Sequence, residues 1–366
     1  MYRVYNRRFF TYLDLHSINA PYAEQIKSAM QRVVDSGWYL FGGEVAAFER
    51  EWAAYCGAQH CTACANGLDA LRLVLRAWIE MGLLHRGDEV IVPANTYIAS
   101  ILAVSDSGLV PVPVEPDHDT YLMSAANVAS AITPRTRVLL PVHLYGQLCD
   151  MDALMAIARS NDFLVLEDCA QCHGVAPSYR GDAQAWSFYP GKNLGAMGDA
   201  GAVTTSDAGL AEVVRQMGYY GSVRKYVHRY KGLNSRMDEL QAAVLREKMP
   251  DLDCCNHRRQ KIAARYNAEI CNPAVRVPSA TAPHVWHVYP LLCGRRDELQ
   301  NYLLDNGVQT QIHYPIPPHR QEAYAEWRSM SMPITESIAA LELSLPCHPA
   351  LADADVSQII DVINHF

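Results

Sequence analysis

The chain has 366 residues, half of them hydrophobic and 19% charged, with a formal net charge of −8 at neutral pH. That length can bury a large core and divides naturally into a major and a smaller domain. The acidic balance argues against nucleic acid and requires any anionic ligand to be met by a local cluster of cations. Met1 to Leu15 carries arginines but no apolar signal core. No apolar run approaches the roughly 18 residues of a membrane span, so a cytoplasmic protein without membrane contact is expected.

From Pro21 to Val34, Tyr22, Ile26, Met30, Val33 and Val34 keep helical spacing until Asp35-Ser36-Gly37 stops the run. A second helix follows Gly42-Gly43, carries Val45, Phe48, Trp52 and Tyr55, and ends at Gly57. Between them, Trp38 to Gly43 concentrates aromatics beside glycines, which suits a ligand wall and ordinary packing equally. His60 to Ala65 reads as a strand, Asn66 to Asp69 as a turn and Asp69 to Met81 as a helix. A strand, a glycine turn and a helix start present free N–H groups to a phosphate, although a plain strand-to-helix turn reads the same way.

The pattern then alternates. Strands are expected at Glu89–Pro93, Val110–Val114, Val138–Leu144 and Phe163–Glu167, and helices at Thr96–Ser107, Ala125–Ala131 and Met151–Arg159. Nearly continuous apolar strands between helices predict a mainly parallel sheet covered on both faces, with ligands at the strands' carboxyl ends. Beyond it, a long helical segment from Asp238 to Tyr266, interrupted at Met249-Pro250, leads to a strand at His287–Leu292, a helix at Asp297–Asn306 and a strand at Val308–His313. A proline-rich loop from His313 to His319 and a final helix from Asp353 complete the chain.

Eleven cysteines, dispersed and odd in number, are expected to be reduced thiols. Cys61 with Cys64, and Cys169 with Cys172 followed by His173, have C-x-x-C spacing. The second pair formally matches haem attachment, and the four thiolates together would suit zinc. Each pair closes an apolar strand, where free cysteine packs well, so no metal is expected.

Ala185 to Phe188 is an apolar strand that enters Tyr189-Pro190-Gly191-Lys192-Asn193-Leu194-Gly195 and returns through Gly198 and Gly201 to a second short strand. A lysine held in a glycine-rich turn between buried strands loses solvation, which lowers its pKa from about 10.4 and frees an amine able to form a Schiff base. A surface lysine following a glycine has the same local sequence, so the surroundings decide. The turn after Asn66, Asn95-Thr96-Tyr97, His143 to Gly146, Asp168 with Gln171, and the Lys192 turn all fall at strand carboxyl ends. A phosphate cradle, a stacking aromatic, a buried carboxylate and a Schiff-base lysine are the set that pyridoxal phosphate requires.

Glu167-Asp168-Cys169-Ala170-Gln171-Cys172-His173-Gly174 and the stretch Ser187 to Thr205 resemble the DegT/DnrJ/StrS family of sugar-nucleotide aminotransferases, and the resemblance runs from about Leu13 to the C-terminus. It implies a fold-type I α/β aminotransferase: a large pyridoxal-phosphate domain at 1–250 and a small α+β domain at 251–366. It also implies a homodimer with each site at the subunit interface, and transfer of an amino group from L-glutamate to a nucleotide-linked keto sugar. By the same resemblance Lys192 bonds the cofactor and shuttles the proton, Asp168 partners the ring nitrogen, Tyr97 stacks on the ring and Gln171 bonds the 3-hydroxyl. Ser187 and the backbone at Gly67-Leu68 hold the phosphate, and Asn234 reaches across from the other subunit. Leu68 stands where many relatives have Thr, and Cys169 and Cys172 replace small residues. Relatives with His at the lysine position dehydrate or deoxygenate instead.

Gly221 to Tyr226, Asn234 to Gln241 and Ile312 to His319 are similar to enzymes that aminate C3 of dTDP-3-keto-6-deoxyhexoses. There the residues matching Tyr189, His313 and Tyr314 orient the hexose, with Tyr226 counted among the substrate-binding residues; Arg224, Lys225 and Arg229 form the local basic patch a pyrophosphate requires, a solvated charged face being the other reading of Arg229. Amination at C4, and a non-enzymatic cofactor-binding regulator of the same fold, are the alternatives. A cysteine desulfurase would need a mobile cysteine, which these strand-end thiols do not supply.

Overall fold

The computed structural model describes residues 9–175, 179–279 and 282–366. Seven strands form the central sheet: β1 (His60–Cys64), β2 (Glu89–Pro93), β3 (Val110–Val114), β4 (Thr136–Leu139), β5 (Leu164–Asp168), β6 (Ala183–Ser187) and β7 (Gly201–Thr205). Their order is β1-β7-β6-β5-β4-β2-β3, and β7 runs antiparallel to both of its neighbours while the other pairs are parallel. Every residue of β2 and β7 is buried, as helices on both faces require.

Helix boundaries follow local chemistry. Asn66 Oδ1 accepts from Asp69 N at 2.8 Å to start the helix Gly67–Glu80. Asp150 caps Met151–Asn161, and Asp207 accepts from two N–H groups of Ala208–Gly218. Gly37 and Gly57, at φ +64° and +68°, close the two N-terminal helices in the left-handed region. Beneath the Lys192 turn, Trp52 packs edge-on to Trp186 and Phe188 with ring centroids 5.0 and 5.2 Å apart. Trp186 Nε1 donates to Thr204 Oγ1 at 2.8 Å, so the buried indole is satisfied and the floor of the turn is fixed.

A second core gathers the helix Leu252–Glu269, an antiparallel sheet of Val275–Arg276, Tyr289–Cys293 and Glu342–Leu345, and the helices Arg296–Asp305 and Asp353–Asn364. Phe10 joins this core from the other end of the chain: its N–H donates to Gly307 O at 2.7 Å and its carbonyl accepts from Gln309 N at 2.9 Å. Among the described residues no helix is long and apolar enough to cross a membrane.

Two expected strands differ. Val138–Leu144 stops at Leu139, because Pro141 cannot donate to a ladder and the chain turns through a short 3-10 segment at Leu144–Gly146. Val308–His313 is not a strand; single bridges tie Val308 to Phe10 and Gln311 to Ser344, so the segment is shared between two partners and continues with neither. The strand Glu342–Leu345 was not expected, since two of its four buried residues are polar.

Candidate active site

The Lys192 turn is held from several directions. Tyr189 O accepts from Lys192 N at 2.8 Å and Phe188 O from Ala196 N at 2.8 Å. Asn193 Nδ2 donates to Asn256 Oδ1 at 2.8 Å and to Val285 O at 3.1 Å, and Lys248 Nζ donates to Gly195 O at 2.5 Å. Desolvation brings the Lys192 amine down to about 8, against the opposing pull of Asp168. The surrounding imidazoles are kept uncharged: burial, with the positive Lys192 adding to it, lowers His173 to about 3 and His313 to about 4, and His287 falls well below its usual range.

Asp168 ends β5 and is buried; Ser100 Oγ donates to its Oδ2 at 2.8 Å and Ala170 N to its Oδ1 at 3.1 Å. Gln171 accepts from Tyr145 N at 2.6 Å and donates to Tyr314 OH at 3.1 Å, so its amide plane is set. Tyr97 stands 54% exposed with its ring 5.2 Å from that of Tyr314, an open aromatic platform on the cleft. Gly67 opens its helix directly against Ser187: a Cβ there would lie 2.6 Å from the serine Cβ. That closeness brings the Ser187 hydroxyl to the helix start, where the Gly67 and Leu68 N–H groups have no protein acceptor among the described residues.

On the opposite wall, His313 Nδ1 is 2.8 Å from Ser344 Oγ, the serine hydroxyl donates to Glu342 Oε1, and His313 N donates to Glu342 Oε2 at 2.6 Å. The serine hydroxyl thus links His313 Nδ1 to the Glu342 carboxyl and fixes the orientation of the imidazole. Burial pushes the Glu342 carboxyl up to about 8. Tyr189, Lys192 and His313 line one cavity of about 170 Å³.

The remaining expected residues lie elsewhere within this chain. Arg224, Lys225, Tyr226 and Arg229 are exposed on or beside the hairpin Ser222–Arg224 and Val227–His228, and Asn234 is exposed beside it. The two cysteine pairs do not assemble into one site: among the described residues the group with metal-ligand spacing is His143, Cys169 and Cys172, all buried, without Cys61 or Cys64. His143 already faces Glu167 Oε2 at 2.9 Å and accepts from Cys149 N at 3.2 Å. Arg259, Glu342 and Ser344 were missed. For Arg259 a signal existed, because it falls in phase with buried Leu252, Asn256, Ala263 and Tyr266 on one helix face.

A buried, deprotonation-prone lysine, a buried carboxylate at a strand end and a glycine-lined helix start define a pyridoxal-phosphate-dependent aminotransferase of fold type I, and the solved structures agree. The residues of this chain superpose on S. venezuelae DesV, solved in complex with a ketimine intermediate, with a TM-score of 0.93, 44% identity and 98% of each chain covered. They superpose on Bacillus subtilis NtdA with bound cofactor PMP at a TM-score of 0.90 and 30% identity, covering 98% of this chain and 86% of that one. The DegT/DnrJ/EryC1/StrS aminotransferase family model matches residues 21–364, and the chain belongs to that family. It is 49% identical over 362 residues, 97% of this chain and 99% of the relative, to the dTDP-3-amino-3,6-dideoxy-alpha-D-galactopyranose transaminase of Aneurinibacillus thermoaerophilus.

Proposed function

We propose that this chain moves an amino group from L-glutamate to C3 of a dTDP-linked 3-keto-6-deoxyhexose, acting in the cytoplasm as a homodimer. The observation that carries the reading is that Lys192 shares one cavity with Tyr189 and His313 and feels the charge of Asp168, while Gln171 bonds Tyr314, the neighbour of His313. Lys192, Asp168 and Gln171 suit the cofactor, and the hydroxyl and imidazole groups suit the directional donors and acceptors of a sugar. Similarity to the Aneurinibacillus transaminase supports C3 rather than C4.

Pyridoxal phosphate, when bound, supplies an electron-withdrawing ring that stabilises negative charge at the amino-bearing carbon. Lys192 would hold it covalently and, once displaced by the donor amine, take the proton from the donor's Cα. An amine lowered to about 8 is neutral often enough at physiological pH to act as that base. Asp168, oriented by Ser100 and Ala170 N, would keep a proton on the ring nitrogen. Gln171 would bond the 3-hydroxyl and Tyr97 would stack on the ring. Ser187 with the Gly67 and Leu68 N–H groups would hold the phosphate.

The dimer reading is supported by an exposed aromatic surface that includes Trp38, Tyr39, Phe41, Tyr219, Tyr220 and, 83% exposed, Tyr226. A second copy covering it would bring Asn234 to the cofactor phosphate and Arg224, Lys225 and Tyr226 to the sugar nucleotide. The same reading assigns residues 1–250 to the cofactor domain and 251–366 to the small domain.

The test is incubation of cofactor-loaded protein with L-glutamate and either the 3-keto or the 4-keto dTDP-6-deoxyhexose, followed by mass spectrometry and proton NMR of the product. Amine at C3 with release of 2-oxoglutarate is expected. Product from the 4-keto sugar alone would overturn the regiochemistry, and absence of any reaction with L-glutamate would overturn the donor.

A further inference from the structure

We propose that Arg259 is the anchor for a carboxylate of the amino donor, an inference that rests on the reading of the chain as an aminotransferase taking L-glutamate. Arg259 projects from the helix Leu252–Glu269 and is 3% exposed. One guanidinium nitrogen donates to Cys347 O, yet Nε has no acceptor, and among the described residues no carboxylate pairs with the group. Burial accordingly lowers its pKa from the usual guanidinium value. A buried, unpaired cation is unfavourable unless the protein is built to receive an anion.

The space beside it says which anion. Arg259 and Lys192 together line the cavity of about 170 Å³, and that lining contains no Asp or Glu. Its two imidazoles, His287 and His313, are held neutral, so Arg259 is the one permanently charged side chain on its wall. A second space lined by both residues holds only about 20 Å³, room for a water molecule at most. The larger cavity fits a small anion attached to the amine that displaces Lys192. A carboxylate matches the planar fork of a guanidinium, which can give it two parallel N–H bonds. The keto sugar carries no carboxylate, so Arg259 serves one half of the reaction and not the other. Arg259 is then a substrate-binding residue for the donor, and the sugar relies on the opposite wall at His313.

The experiment compares the cofactor-loaded wild type with Arg259→Lys and Arg259→Met in single turnover, following the absorbance of the lysine-bound cofactor as L-glutamate is added. The half-saturating L-glutamate concentration should rise by at least about tenfold in Arg259→Met and by less in Arg259→Lys. The reaction of amino-form enzyme with the dTDP-keto sugar should stay within about twofold. A glutamate half-saturation within twofold of wild type, or equal losses in both halves, would overturn the proposal. A loss confined to the sugar half would also overturn it, by assigning the guanidinium to the nucleotide phosphates. Should the variants fail to fold, calorimetric titration of wild-type holoenzyme keeps the question open to refutation. Glutarate should bind at least about tenfold more tightly than its uncharged diamide glutaramide, and equal binding would defeat the proposal. Wild type that binds glutarate with this preference yet does not react with L-glutamate would strike the donor reading and leave the carboxylate site standing.

Discussion

Gly67→Ala should break the phosphate cradle with a single methyl group. The Cβ would lie 2.6 Å from Ser187 Cβ and 3.2 Å from Ser187 Cα. Carbon atoms in contact prefer about 3.5–4.0 Å, so the helix start and the end of β6 must separate by roughly 1 Å. Rotation about χ1 gives no relief, because the clash is with Cβ and not with the hydroxyl. Nor can β6 retreat: Ser187 pairs with Gly201 of β7, and a Cβ at Gly201 would itself run into the Asn66 backbone. Overpacking of this kind costs about 1–3 kcal/mol, set against up to about 1 kcal/mol that alanine gains over glycine in a helix.

The expected net loss is about 1–2 kcal/mol, read as a lower urea midpoint at unchanged slope. The displaced N–H groups and hydroxyl should weaken cofactor binding at least about tenfold in an absorbance titration of apoprotein. Ser187→Gly in the same chain should recover most of the stability, whereas Ser187→Ala, which keeps the Cβ, should recover none. A Gly67→Ala protein that binds pyridoxal phosphate within twofold of wild type and unfolds at the same urea concentration would refute the reasoning.

Two further outcomes follow from the same geometry. The amine, not the ammonium, attacks the cofactor aldehyde, and burial lowers Lys192 from 10.5 to about 8, so capture of pyridoxal phosphate by apoprotein should accelerate with rising pH and level off above about 8. A rate still climbing nearly tenfold per pH unit between pH 8 and 9 would show an unperturbed lysine. Ser344→Ala removes the hydroxyl that holds His313 Nδ1, and at about 1 kcal/mol for a lost hydrogen bond the KM for the keto sugar should rise roughly fivefold with the L-glutamate half-reaction unchanged; equal effects on both halves would contradict a sugar-orienting His313.

Much of this was legible in the residues. Glu89–Pro93, Val110–Val114 and Ala125–Ala131 have the boundaries that local pattern indicates, because each combines an apolar run with clear stops. Lys192, Asp168 and Gln171 were readable as candidates because they fall in short motifs at or after strand ends. What stayed hidden depends on contacts between distant segments. Glu342 and Ser344 read as two ordinary polar residues until the fold sets them under His313, about thirty positions earlier. Arg259 reads as one of two adjacent helix arginines; only the fold separates it, buried at the Lys192 cavity, from Arg258, which pairs with Asp353. The hairpin at Arg224 and Lys225 was legible as a basic patch, and both residues are exposed on this chain.

The attachment of Phe10 to Gly307 and Gln309 also sets the order in which this protein can finish folding. Tyr12 N reaches Gln309 Oε1 across 297 positions of sequence. The last strand of the seven-stranded sheet ends at Thr205, so that sheet has all its strands well before synthesis is complete. The N-terminal arm, by contrast, must wait for its partners for about 15–60 s at ordinary translation rates, with the Phe10 ring uncovered. During that interval the nascent chain carries a completed large sheet and a loose apolar tail, the kind of species that chaperones engage.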